Sequence, residues 1–415
     1  MSSVIIAGDT SGSITLAAPA AAGASVLTLP VATDTLVGKA TTDTLTNKTL
    51  TAPVLGTPAS GILTSCTGLN YDGFKNRIIN GAMVLDQRNA GASVATTVTG
   101  TPTYTIDRFA YQASQASKYT VQQNAAAVTP PTGFLNYLGV TSTSEYVVLA
   151  ADYFLLRQPI EGFNTSDLGF GTASASTVTL SFRVYSSLTG TFGGSLQNGA
   201  GNRSYPFSYS VSVADTWTTI SVTIAGDTSG TWIGATSGVG MLVSFGLGMG
   251  STYSTTAGAW AAGNYLSATS ATSVVGTNGA TFYITGVQIE KSATATSFDY
   301  RPYGTELFLC QRYYEKSYDI GTVPGTNTVL GTFYGMYFVQ YGVCPTPALR
   351  FIVSKRAAPT MLGYTNGGVS GKWVDSTAGD QAVTLTNPSQ TGVNYAALAS
   401  GSGAQYGQWT ASAEL

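Results

Sequence analysis

The chain has 415 residues, enough for two or three domains, and a formal net charge of −2 with only 9% charged residues, against about 25% in ordinary soluble domains. It contains no histidine, which removes Ser-His-Asp and Cys-His arrangements, the common zinc sites and most general acid–base designs. No basic patch is present to neutralise phosphates, so nucleic acid is not an expected partner.

Glycine supplies 49 residues and Thr, Ser, Ala and Tyr are abundant, while the residues that favour helix surfaces are scarce. That balance predicts an all-β protein with many turns. The start, Met1 to Gly12, lacks a basic segment and a sustained apolar core, so synthesis in the cytosol without a secretion signal is expected. The stretch from Leu16 to Leu29 is mostly Ala and is broken by Pro19 and Gly23; no membrane insertion is expected from it. The three cysteines, Cys66, Cys310 and Cys344, show no pairing framework and are expected to be reduced and mostly buried.

Residues 1–75 form a first zone. Short pieces alternate polar and apolar residues, among them Ser13-Ile14-Thr15-Leu16, Val26-Leu27-Thr28-Leu29, Asp34-Thr35-Leu36-Val37, Asp43-Thr44-Leu45-Thr46 and Lys48-Thr49-Leu50-Thr51. No piece can make a core alone. Two readings stand: a flexible linker, or an intertwined β shaft whose strands are partnered by other chains, and hence a homotrimer. The persistent β-branched alternation favours the shaft.

Residues 76–302 read as a central jelly-roll-like β-sandwich. The opening segment Asn76–Gly91 carries the Asn80-Gly81 hairpin signal between apolar runs. Strand candidates follow at Arg108 to Gln112, Tyr119 to Gln122, Tyr146 to Leu149, Val178 to Tyr185, Tyr205 to Val213, Thr218 to Ile224, Met241 to Leu247 and Thr281 to Glu290. The hexapeptide Ala7–Gly12 recurs at 225–230; convergent turn chemistry explains it, since Asp and Ser close tight loops. Three charge sets stand out: Asp86 with Arg88, Asp107 with Arg108, and Asp299 with Arg301. They can be catalytic or structural. With an Arg beside each Asp and no His, the structural reading predominates, with guanidinium–carboxylate bonds tying the first strand of the domain to the last.

Gly304 to Lys316 is the strongest helix signal, with Thr305 as N-cap and Leu307, Cys310 and Tyr314 on one face. It predicts a short linking helix within 303–318. Residues 319–415 return to β-like alternation at Val329 to Val343, Arg350 to Val353, Gln381 to Leu385, Val393 to Leu398 and Tyr406 to Thr410, and read as a small C-terminal β-sandwich.

Aromatics are the other functional signal, with 24 Tyr, 16 Phe and 5 Trp. Most serve cross-strand pairs, but an exposed ring can stack on a sugar while Asn and Gln reach its hydroxyls. Two C-terminal loops fit: Tyr364 and Asn366 with Trp373, and Tyr406 with Trp409. These five are the candidate ligand contacts, and the core is the competing place for both Trp. The low charge suits neutral sugars. No catalytic residue, metal site or cofactor is expected.

Three segments resemble bacteriophage tail-fibre and related virion-appendage proteins. Asn47-Lys48-Thr49-Leu50-Thr51-Ala52-Pro53 with Gly56-Thr57-Pro58-Ala59-Ser60-Gly61 is similar to their shaft repeats. The second is Asn76-Arg77-Ile78-Ile79-Asn80-Gly81-Ala82-Met83 through Asp86-Gln87-Arg88-Asn89, followed by Asp107-Arg108-Phe109, where the family often has Trp in place of Phe109. The third is Gly286-Val287-Gln288-Ile289-Glu290, then Phe298-Asp299-Tyr300-Arg301-Pro302-Tyr303-Gly304-Thr305-Glu306-Leu307, ending in Cys310-Gln311-Arg312-Tyr313-Tyr314-Glu315. The resemblance implies a homotrimer in the virion tail, assembled in the host cytoplasm. It would attach to tail or baseplate proteins by its N-terminal region and contact a host cell-surface glycan through its distal tip. Alternatives are a structural adaptor or head fibre, and a depolymerising tailspike, which needs a carboxylate pair in a cleft.

Overall fold

A computed structural model describes residues 3–7, 11–17, 74–335, 348–400 and 403–415, and the chain divides into two units, Met1–Leu69 and Asn70–Leu415. In the first, β1 (Ser3–Ala7) pairs antiparallel with β2 (Ser13–Ala17), Ser3 opposite Ala17 and Ala7 opposite Ser13. The piece at 13–16 therefore finds its strand partner within the chain, where partners from other chains were expected. The remaining N-terminal pieces, the shaft reading and Cys66 lie outside the described residues.

The second unit begins with a sandwich of two antiparallel sheets. Its strands are β3 (Thr103–Ile106), β4 (Phe109–Ala113), β5 (Tyr119–Gln123), β6 (Leu138–Ser142), β7 (Tyr153–Glu161), β8 (Val178–Ser186), β9 (Gly190–Asn198), β10 (Arg203–Val211), β11 (Thr218–Ile224), β12 (Val239–Met249) and β13 (Thr281–Glu290). One sheet runs β10-β9-β12-β7-β4-β3, with Ala261–Ala262 added beside β10; the other runs β11-β8-β13-β6-β5, with Val94–Ala95 added beside β5. From β7 onward the chain crosses repeatedly between them, as in a jelly roll. Period-two alternation sends Val178, Leu180, Phe182 and Val184 of β8, and Met241, Val243, Phe245 and Leu247 of β12, into one shared core. In β13 a bulge between Thr285 and Gln288 shifts the phase, so that Phe282 and Ile284 before it and Val287 and Ile289 after it all face inward. Tyr146 to Leu149, expected as a strand, is not one. Its hydrogen-bonding groups go elsewhere: the Asp152 carboxylate accepts from the Leu149 N–H and the Tyr146 hydroxyl, and the Tyr146 N–H donates to Val275.

The segment Asn76–Gly91 forms no hairpin. Asn80 turns the chain at φ +60, but the flanking apolar runs serve two different cores. Ile78 and Met83 enter the sandwich core; Ile79 and Leu85 pack with Cys310 and Tyr313. Gly81 presses its backbone against β13, where an added Cβ would lie 2.2 Å from the Val287 carbonyl oxygen. Asn76 bonds Val287 and Ile289, and Gln158 of β7 both donates to and accepts from the Ile79 backbone.

The helix α1 spans Tyr303–Gln311 and is shorter than expected. Pro302 occupies the N-cap position, so Thr305 falls inside the first turn without a capping bond. Beyond it Tyr314–Lys316 is β14, because its backbone pairs with residues 410–412 of the last strand. In the C-terminal part β15 (Phe333–Gly335), β16 (Thr360–Tyr364), β17 (Lys372–Asp375), β18 (Gly379–Thr386) and β19 (Tyr395–Leu398) are gathered around β20 (Gln405–Ser412). β20 uses both edges along its length: β15 and β17 flank residues 405–407, and β14 and β16 flank residues 408–412. The expected small sandwich is therefore one antiparallel network plus a two-residue ladder, Leu349–Arg350 with Gly392–Val393, among the described residues. Most of the expected strand Val329 to Val343, with Cys344, lies outside them.

After β20 the chain plants Glu414 in the sandwich. Its carboxylate accepts from Arg88 at 2.9 Å and from Arg108. Tyr314 lies under the Arg88 guanidinium at 3.8 Å and Tyr313 under that of Arg108 at 3.6 Å. Arg356 holds the Ala413 and Glu414 carbonyls. The charge sets are thus wired differently from the expected pairs. Asp86 closes its own turn by accepting from the Arg88, Asn89 and Gly91 N–H groups. Asp107 accepts from the Gln87 backbone and side chain, with Arg88 at 3.6 Å. Arg301 joins Glu306 of α1 and the Asn76 and Ile78 carbonyls, with Asp299 at 4.0 Å. The long side chains of Arg88 and Arg108 reach past their sequence neighbours to Glu414, more than 300 residues away.

A second tie across this joint is Glu161, which accepts two bonds from Arg312, at 2.6 and 2.8 Å, and one from the Tyr313 hydroxyl at 2.6 Å. Burial pushes this carboxyl up, but the Arg312 guanidinium and Tyr313 hydroxyl outweigh it and hold it below its ordinary value of 4.5.

Two outcomes are expected. Glu414→Ala, which strands two buried guanidinium groups, should cost on the order of 3–5 kcal/mol in chemical denaturation. Because Glu161 titrates lower in the folded chain, its contribution is present above the ordinary carboxylate range and is lost as pH falls through the folded value. Glu161→Gln should therefore melt well below the parent chain near neutral pH, with the gap closing in acid.

Candidate functional site

Of the five candidate ligand contacts, the structure buries two. Trp373 is 0% exposed and Trp409 is 6% exposed, which corrects the expectation of open sugar-stacking faces there. The Trp373 indole N–H donates to the Gln408 carbonyl at 2.9 Å, and its ring lies so close to β20 that a Cβ on Gly407 would meet it at 2.2 Å. Trp409 packs on Phe351. Both belong to the C-terminal core, where they pack with Leu349, Phe351, Leu385 and Val393. Tyr364 and Asn366 are half-buried; Tyr364 meets Tyr318 edge-on and Asn366 accepts from Thr332. Tyr406 is half-buried beside Tyr334, which is 62% exposed, with ring centres 5.4 Å apart. The five residues do not form one site; the Tyr334–Tyr406 pair is what remains of the idea.

The most developed concave polar site lies on the sandwich, on the outer face of the sheet that contains β7. There the register aligns Ser195 of β9, Ser244 of β12, Arg157 of β7 and Ala110 of β4 in one row across four strands. Arg157 lies in the floor of a hollow over this face, which Leu242 and Leu266 also line. The hollow has a volume of ≈ 340 Å³. Tyr153 and Tyr253 stand against each other edge to face, ring centres 5.3 Å apart. Gln112, Gln197 and Asn264 contribute amides, and the backbone of Gly199–Gly201 completes the rim. No Asp or Glu lines it.

Arg157 is held by neutral groups alone. Nη1 donates to Gln112 Oε1, Nη2 to Gln197 Oε1 at 3.0 Å, and Nε and Nη2 to Ser244 Oγ at 3.3 and 3.1 Å. The amides are fixed from behind, Gln112 by the Gly100 carbonyl and Gln197 by Ser204 and Asn264. Burial pulls the Arg157 guanidinium down to about 10, so it remains a cation at neutral pH.

A smaller cleft of ≈ 160 Å³ lies between Phe134, Phe298, Tyr300 and the Asn76–Val84 segment. Its polar groups, Asp299, Arg301 and Glu306, are already engaged with one another and with the Asn76–Asn80 backbone, so it reads as part of the joint. Among the described residues no cluster of His, Cys, Asp and Glu is arranged to hold a metal ion, and no helix is long and apolar enough to cross a membrane.

The hollow escaped sequence reasoning because its parts come from four strands and several separate loops. The available signal was Arg157, a charged residue in the mostly apolar run Tyr153 to Ile160.

No known family profile and no curated protein matches the chain. Among solved structures, it is similar to the enzymatically active domain of bacteriophage CBA120 tailspike protein 4, at 11% identity and TM-score 0.28. That likeness covers 52% of this chain and 21% of the other, so the chain spans about a fifth of the tailspike structure. It is also similar to the family 11 carbohydrate-binding module of Clostridium thermocellum in complex with a mixed-linked tetrasaccharide (10% identity, TM-score 0.25, 49% and 98% covered). A third is the N-terminal cellulose-binding domain of Cellulomonas fimi β-1,4-glucanase C (15%, 0.21, 38% and 78%). Likenesses this weak carry no inference about this chain.

The expected outcome for the corrected residue is structural: Trp373→Ala should cost about 3–5 kcal/mol in chemical denaturation.

Proposed function

We propose that this chain is a non-enzymatic glycan-binding appendage of a bacteriophage, a tail fibre that takes host-surface sugar in the hollow over Arg157. The observation that carries the reading is the composition of that hollow: a pair of tyrosine rings beside fixed amides, on a rigid sheet. Tyrosine faces match the apolar faces of pyranose rings, and amide groups match their hydroxyls. The absence of carboxylates from the lining supports binding over hydrolysis, since glycoside cleavage of the usual kind requires a carboxylate pair. The fibre assignment is supported by the sequence resemblance, whose segments Asn76–Asn89 and 286–315 build the joint between the sandwich and the C-terminal part. In this reading the chain is a homotrimer attached to the tail through its N-terminal region. A second reading places the contact at the exposed Tyr334–Tyr406 pair at the C-terminal part.

The test compares adsorption of the purified chain to host cells for two double variants, Tyr153→Ala with Tyr253→Ala, and Tyr334→Ala with Tyr406→Ala, with melting temperature as the folding control. The first is expected to lose about tenfold or more in affinity and the second little. The reverse result moves the site to the C-terminal part. Release of reducing ends from host polysaccharide would make the protein a depolymerase and sink the non-enzymatic reading.

A further inference from the structure

The fold buries two arginines outright, Arg108 and Arg157, at 1% and 7% exposure. Their settings differ in one respect. Arg108 has a carboxylate, Glu414. Arg157 has two amide oxygens and a hydroxyl, and among the described residues no acidic side chain pairs with it. A cation removed from water without a counter-charge is costly, and neutral hydrogen bonds return only part of its hydration. A sheet position between two small residues in register, Ser244 and Ala110, has no packing need for a guanidinium.

From this arrangement, and resting on the glycan reading above, we infer that the hollow recognises an acidic sugar, with Arg157 as the counter-charge for a carboxylate on the ring.

The geometry suits that group. Nη1 carries two protons and gives one to Gln112, which leaves a donor on the floor of the hollow. A carboxylate accepting there makes a charge-assisted bond in a site partly withdrawn from water, where such bonds are strongest. The Gln112 and Gln197 amides present their oxygens to Arg157 and are held so by Gly100, Ser204 and Asn264, so the guanidinium is oriented before ligand arrives. The charge count selects a monoanion. The lining holds one cation and no acid, which balances one carboxylate, whereas a phosphate monoester near neutral pH brings closer to two charges. The tyrosine pair then covers the sugar ring that bears the acid. This revises the expectation of a neutral sugar, which rested on the low charge of the chain as a whole: steering over distance needs many charges, but recognition at contact needs one.

The experiment titrates the full chain with acidic oligosaccharides (hexuronate, nonulosonate and pyruvylated types), each beside its carboxyl-reduced neutral form and a sulfated neutral oligosaccharide. At least one acidic form is expected to bind about tenfold or more tighter than its reduced partner, with an affinity that falls as salt rises while that of the neutral form does not. Arg157→Gln should abolish the preference without lowering the melting temperature, because it removes an unpaired buried charge. Arg157→Lys, which keeps the charge and loses the planar fork, should retain part of it, and serves in the same way if the Gln variant does not fold. Equal binding of acidic and reduced forms by the parent chain overturns the acidic-sugar inference and leaves the glycan reading standing. A sulfated sugar bound as tightly as the acidic one overturns the carboxylate assignment. No binding by any form overturns both.

Discussion

One buried carboxylate connects the two parts of the folded unit. Glu414 leaves the C-terminal sheet and enters the sandwich between Arg88 and Arg108, two cations that the surrounding core nearly seals from solvent. Neither guanidinium could stay there alone, and the carboxylate could not stay there without them. Their mutual dependence extends outward. The Tyr313 and Tyr314 rings that lie under the guanidinium groups belong to the passage from α1 into β14, and Arg356 holds the last carbonyls from the other side. The joint is therefore specified by charge and direction, where an apolar contact would specify only area.

This arrangement explains how a chain with so few charges uses them. Glu161 with Arg312, Glu306 with Arg301, and Glu315 with Lys355 all sit on or beside the same joint. The sandwich core itself is apolar and needs none of them. Arg157 stands out against this pattern, because the other arginine the fold buries outright, Arg108, has been given an acid.

The hollow over Arg157 depends on sheet register more than on any single residue. Four strands bring one large cation and three small side chains into a row, and the loop carrying Tyr253 and Asn264 adds a wall. A one-residue slip in β7 would turn Arg157 into the core and Leu156 or Gln158 outward, with loss of both site and fold. The floor of the hollow and the scaffold are thus the same set of strand pairings, while loops supply the rim and one of the two tyrosine rings.

Composition and alternation alone determined the all-β class and placed most sandwich strands, Thr218–Ile224 and Thr281–Glu290 to the residue. Those signals are local: the pleat repeats every two residues, and a half-buried strand writes that period into its sequence. They also showed that the Asp86–Arg88, Asp107–Arg108 and Asp299–Arg301 sets lie at the edges of the sandwich segment. What only the tertiary structure decided is long-range. That Asn80 turns the chain without a hairpin, that Tyr314–Lys316 leaves the helix for a strand, and that Arg88 and Arg108 pair with Glu414 all follow from partners far away in sequence. The candidate contacts divided on the same line. Trp373 and Trp409 sit in Gly-rich stretches that read as open loops, yet residues distant in sequence, Leu349, Phe351 and Val393, pack over them in the C-terminal core. Arg157 is not among the candidates, and it reaches the floor of a hollow only through the register that sets it beside Ser244 and Ala110. Exposure is a property of the assembled sheets, and period-two alternation reports only that neighbouring residues face opposite ways.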